Sequence, residues 1–107
     1  VDVTPNSADD MMPALTNQPV SIAIQADQTS FQLYKSGVYS DSCGTGLDHG
    51  VLTVGYGTMS GSDYYKVKNS WGETWGDDGY IYFGRGPEFN DGKGQCGMLM
   101  QASYPEL

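Results

Sequence analysis

The sequence predicts a mainly β protein: a small antiparallel, barrel-like sheet with one short N-terminal helix. Three observations predict it. Short runs rich in β-branched and aromatic residues recur at regular spacing between turn residues. Glycine (15) and proline (5) make up 20 of 107 residues, above the usual ~12%, which favours turns over long helices. Eight Tyr, three Phe and two Trp supply enough large side chains for a core, so disorder is not expected. The length suits a single domain, 1–107, with no internal repeat or linker.

The elements follow in order. Residues 1–6 read as an extended lead-in. Ser7 can cap a helix whose first turn carries Asp9 and Asp10, where the helix dipole favours acids. Met11, Met12 and Leu15 form its apolar side. Pro13 lacks an N–H and crowds the preceding turn, so the helix is expected to be short or distorted and to end before Asn17. Residues 20–24, VSIAI, place β-branched residues on one face of a strand. Residues 31–34 suit a short helical turn stopped by Gly37. Residues 50–57, GVLTVGYG, read as a buried strand. The Gly/Ser-rich residues 58–63 read as a turn, and residues 64–68, YYKVK, pair back as a hairpin. Residues 79–83 make a further strand, residues 84–94 a glycine-rich surface loop, and residues 99–104 a closing strand.

Thirteen acids against five bases give a net charge of −8. Such a surface repels phosphate backbones and anionic lipid, so neither nucleic acid nor a membrane surface is expected as a partner. No apolar run approaches the ~18 residues that span a bilayer. The chain begins Val1-Asp2-Val3-Thr4, without initiator Met or signal peptide, and is expected to be a mature product or a cut fragment. Cys43, Cys96 and His49 could supply three zinc ligands, but their spacing contains no tight pair of the C-x-x-C kind. A Cys43–Cys96 disulfide is expected in preference to zinc, with no metal and no cofactor. That bridge implies an oxidising compartment.

Two segments look unlike ordinary scaffold. Leu47-Asp48-His49-Gly50 places the single histidine at the entrance to a strand. Lys68-Asn69-Ser70-Trp71-Gly72-Glu73-Thr74-Trp75-Gly76 leaves the next strand. In a hairpin, His49 and Asn69 lie near the same end of the sheet. An asparagine oxygen can accept an imidazole N–H and hold the ring in one tautomer, as the third group of a nucleophilic triad does. An indole over that contact excludes water and strengthens it. A lone histidine in a small domain is more often structural; its flanking pattern here favours catalysis. Asp48 suits a loop cap as well as a functional acid. The remaining acids read as a solvated face, and Met98 and Met100 as packing residues on the closing strand.

The runs LDHGVLTVGYG, YYKVKNSWGETWGDDGYIYF and KGQCGMLMQASYP resemble the papain-like cysteine peptidases of the cathepsin L type, as do NQPVSIAIQAD and FQLYKSGVYS. The resemblance covers nearly the whole chain. It implies the C-terminal, β-rich subdomain of the α+β papain-like fold, in a lysosomal, vacuolar or secreted protein. It implies that His49 is the catalytic histidine, Asn69 its orienting residue, Trp71 the shield over their contact and Asp48 an electrostatic modulator. Trp75 would line the primed side of the cleft, and Ala23, Leu47, Gly50 and Gln101 would form a pocket for a hydrophobic substrate side chain. The resemblance also implies a Cys43–Cys96 bridge. Two family features are absent: the nucleophilic cysteine of a Cys-Gly-Ser-Cys-Trp segment and the upstream oxyanion glutamine. Both belong to the helical N-terminal half, which becomes the expected partner beside peptide or protein substrates. The isolated chain is expected to be inactive and prone to self-association. The alternative is a non-enzymatic binding module, as in silicatein-like relatives where serine replaces the nucleophile.

Overall fold

A computed structural model describes residues 1–105. Helix α1, Ala8–Leu15, is followed by strand β1, Val20–Ile24, and by one helical turn, α2, Thr29–Gln32. Strands β2, Val38–Tyr39, β3, His49–Met59, β4, Ser62–Lys68, β5, Tyr80–Gly84, and β6, Ala102–Ser103, complete the regular structure among the described residues, with 3-10 turns at Phe89–Gly92 and Gln95–Gly97. The six strands form one open sheet in the order β2-β5-β4-β3-β1-β6. The mainly β, curled-sheet architecture is the one expected.

Local chemistry accounts for the elements. The Ser7 side chain accepts the Asp10 N–H at 3.1 Å and caps α1. Pro13 sits inside the helix, which ends two residues later. Met11 and Leu15, one turn apart, are its buried residues. In β1 every second residue, Val20, Ile22 and Ile24, is buried. Val20 pairs with Thr53, Thr53 with Val67 and Val67 with Ile81, so one row of fully buried residues crosses four strands. Directly paired residues share a sheet face, so this row, together with Tyr65 and Phe83, forms the core of one face. His49 is the partner of Ile24 and stands at the end of that face.

Several expectations are corrected. Strand β3 is longer than residues 50–57, and only Val51 and Thr53 in it are buried, because its outer half runs beyond the core. The hairpin turn is not residues 58–63 but Ser60 and Gly61, at φ 50° and 81°. Both adopt the left-handed torsions that match a two-residue turn to strand twist. Strand β2 had no periodicity long enough to read. It pairs parallel with β5, so the sheet is not wholly antiparallel. Closing strand β6 has two residues, and Met98 and Leu99 are buried in a turn rather than on a strand. Five glycines between positions 84 and 97 allow that compact path.

Candidate functional site

The β3–β4 hairpin builds the site. Leu52 pairs with Lys68 and Thr53 with Val67. Continued beyond the last rung, that register sets Trp71 opposite His49 and Asn69 opposite Val51. A bulge between Thr53 and Gly55 re-phases the outer half of the hairpin while leaving this inner end in register with the core. Pairing ends at Lys68, so the hairpin brings residues 69–71 beside His49 and side-chain contacts complete the arrangement.

His49 Nε2 lies 2.8 Å from Asn69 Oδ1. The Ser70 N–H donates to the same oxygen at 2.7 Å, which identifies that atom as the acceptor. The imidazole must then donate from Nε2, leaving Nδ1 as the nitrogen free for chemistry. Asn69 is 4% exposed, and its backbone N–H donates to Gly79 O at 3.0 Å, which fixes the main chain that carries the carboxamide; the carboxamide itself is held at its oxygen, and its Nδ2 has no partner among the described residues. Burial of this kind raises the strength of a satisfied polar contact.

Trp71 stacks on the His49 ring with centroids 5.2 Å apart and planes 27° from parallel. Trp71 remains 40% exposed. Phe31 and Trp75 meet the indole edge-on, at 5.4 Å each. Trp75 donates its ring N–H to Gln32 O at 3.1 Å, which ties the 69–79 loop to α2. Phe31, fully buried, thus anchors both indoles. The only sign of it in the sequence is an aromatic residue on a very short helical turn.

Asp48 lies beside the histidine but turns its carboxylate back. Its Oδ1 accepts the Ala26 N–H at 2.9 Å, and its own N–H donates to Ile24 O at 2.9 Å. The pocket residues are divided. Ala23 and Gln101 line a shallow cavity of about 530 Å³ together with Ile22 and Met100. Gly50, the pairing partner of Ala23, lines a neighbouring depression with Asn69. Leu47 lines neither and packs over Gly97 beside Met100. Cys43 and Cys96 form a disulfide that closes 53 residues, which takes up both sulfurs a zinc ion would need and leaves the chain no free thiol.

A sequence profile described as "Papain family cysteine protease" matches residues 1–106. The chain is 54% identical over 104 residues to "Probable cysteine protease RD21B" of Arabidopsis thaliana, covering 97% of this chain and 22% of that protein. It is 52% identical to the oryzain beta chain of Oryza sativa subsp. japonica, with the same two coverages. Among solved structures, the bromelain protease from Ananas comosus superposes with a TM-score of 0.92 at 43% identity, covering 99% of this chain and 48% of that one. The chain thus spans about a fifth of the length of these curated relatives and about half of the bromelain chain.

Proposed function

Because the chain belongs to the papain family of cysteine proteases, we propose that it is the C-terminal half of an endopeptidase catalytic domain and supplies the imidazole of the reaction. His49 is the catalytic histidine of this reading and Asn69 its orienting partner. The observation that carries it is the 2.8 Å contact from His49 Nε2 to a carboxamide oxygen already held by Ser70 N–H.

The chemistry follows from that geometry. With Nε2 committed to Asn69, Nδ1 faces a cysteine thiol contributed by the complementary helical half and takes its proton. An adjacent imidazolium lowers a thiol pKa by several units, which favours the thiolate. The thiolate sulfur attacks the peptide carbonyl carbon, and the imidazolium returns its proton to the leaving amine nitrogen as the C–N bond breaks. The thioester that remains is cleaved by water. Imidazole takes the water proton, hydroxide oxygen bonds to the acyl carbon, and the carboxylic acid leaves as thiolate re-forms. Trp71, stacked on the ring, keeps bulk water off the His49–Asn69 contact. Asp48 acts through the backbone it holds rather than as a proton carrier. The cavity lined by Ala23, Gln101, Ile22 and Met100 is the proposed site for an apolar substrate side chain, with Leu47 and Gly50 beside it, and Trp75 is proposed for the far side of the cleft. The disulfide favours an oxidising route, secretory or endolysosomal and vacuolar.

The test is complementation. The chain alone is expected to hydrolyse no peptide amide, since it has no free thiol. Combined with a helical N-terminal half carrying a cysteine, it is expected to cleave peptide amides, and His49→Ala in the same complex is expected to abolish turnover. A folded, stoichiometric complex without activity would overturn the reading.

A further inference from the structure

We infer that Gln25 is a positioning residue for His49, holding the approach to that histidine through its side-chain carboxamide; the inference rests on the reading of His49 as the peptidase imidazole. Residues 40–48 lead directly into β3 and contain no regular secondary structure. No backbone hydrogen bond joins any two of them among the described residues. Their path is held from outside. The Gln95 Nε2 donates to Asp41 O at 2.7 Å, Cys43 is bonded to Cys96, and Asp48 is clasped by Ile24 and Ala26. Between the bridge and Asp48 the hydrogen-bonded tether is Gln25, whose Oε1 accepts the Gly46 N–H at 2.8 Å, next to Leu47 packed over Gly97.

The carboxamide of Gln25 is itself oriented. Its Nε2 donates to Asp27 Oδ1 at 2.8 Å, which turns Oε1 toward the loop, and its backbone N–H donates to Cys96 O at 2.9 Å. Gly44 shows how closely the side chain is seated. A Cβ at that position would lie 2.5 Å from Gln25 Oε1, although the Gly44 backbone needs no left-handed torsion. A side chain at 44 would therefore have to displace the Gln25 carboxamide, the far end of a flexible side chain, and the turn itself makes no demand for glycine. Gly46 is three residues from His49. The Asp48 clasp and the His49–Ile24 rung lie between them, so a shift of Gly46 reaches the His49–Asn69 contact by straining those bonds, and a hydrogen bond weakens steeply once its atoms drift beyond ~3.2 Å or bend.

The prediction is a coupled one and is read on the chain itself by NMR, without any activity assay. In the unaltered chain, the Gly46 N–H is expected to exchange slowly, like that of Asp48, and the His49 ring to show a slowly exchanging Nε2–H with well-separated ring nitrogen shifts. Gln25→Ala and Gly44→Ala, one deleting the acceptor and one displacing it, are each expected to lose the Nε2–H signal and to average the two nitrogen shifts far below the melting temperature. The double variant is expected to be no worse than Gln25→Ala, because the added methyl then meets no carboxamide. Retention of the Nε2–H signal in either folded single variant, or independent additive effects in the double, would overturn the assignment. So would fast exchange of Gly46 N–H in the unaltered chain, which decides the matter even if a variant fails to fold. A chain that passes these tests but shows no peptidase activity on complementation would count against the function and leave the positioning role intact.

Discussion

A carboxamide suits position 69 because its oxygen has two lone pairs and the site uses both, one for Ser70 N–H and one for His49 Nε2–H. An aspartate there would bring a buried negative charge to a residue that is 4% exposed. An alanine would leave the ring N–H with no acceptor and the tautomer unspecified. Asn69→Ala is therefore expected to lower kcat/KM of the complemented peptidase by roughly 10²-fold, as loss of correct proton transfer does. Steady-state assays would measure this, with far-UV circular dichroism expected to remain unchanged. The residue identities at 49, 69 and 71 were legible from their motif. The pocket was less so, because Ala23, the Leu47–Gly50 run and Gln101 come from three segments, and which of these residues share a cavity depends on loop path rather than on local pattern.

At the scale of elements, each local signal acted where backbone hydrogen bonding is local. The Ser7 cap began α1 at the expected position, and Pro13 kept it to 8 residues. Ser7→Ala is expected to destabilise the fold by about 1 kcal/mol, measurable as a lower urea midpoint without a change in slope. The β3–β4 hairpin was visible as two apolar runs around a turn, but its bulge was not, since one extra residue leaves little trace in composition. Strand β2 was missed for a related reason. Two residues, Val38 and Tyr39, pair with β5 because Tyr39 packs against Phe31 and Phe83, a tertiary cause with no sequence period.

Across the whole molecule, the Cys43–Cys96 bridge ties the loop before His49 to the buried Gln95–Gly97 turn. Closing 53 residues constrains the unfolded chain by about 4 kcal/mol. Reduction is thus expected to lower the melting temperature markedly, and an unchanged calorimetric transition would contradict it. Alkaline pH gives a second global test. Burial raises the pKa of Tyr65 from 10.0 to about 12, and burial does the same for Tyr34. The folded state holds these protons more tightly than the unfolded state, so their contribution is complete below pH 10.0 and is lost as pH rises toward about 12. Stability is expected to fall over that interval in a pH series of denaturant melts. Tyr65→Phe, which removes one of the two ionisations, is expected to flatten the decline.

The sequence by itself determined the fold class, the helix cap, the hairpin and the identities of His49, Asn69 and Trp71, because these depend on side-chain period, turn chemistry and motifs each contained in its own short run, and the hairpin those runs predict closes the 20-residue gap between His49 and Asn69. Tertiary structure decided the parallel β2–β5 pair, the burial of Met98 and Leu99 in a turn, the division of the pocket residues and the seating of the loop before His49 by Gln25. Those features join segments 20 or more residues apart in most cases. Their energy comes from which backbone groups and side chains the folded sheet brings within a few ångströms, and no local pattern encodes that distance.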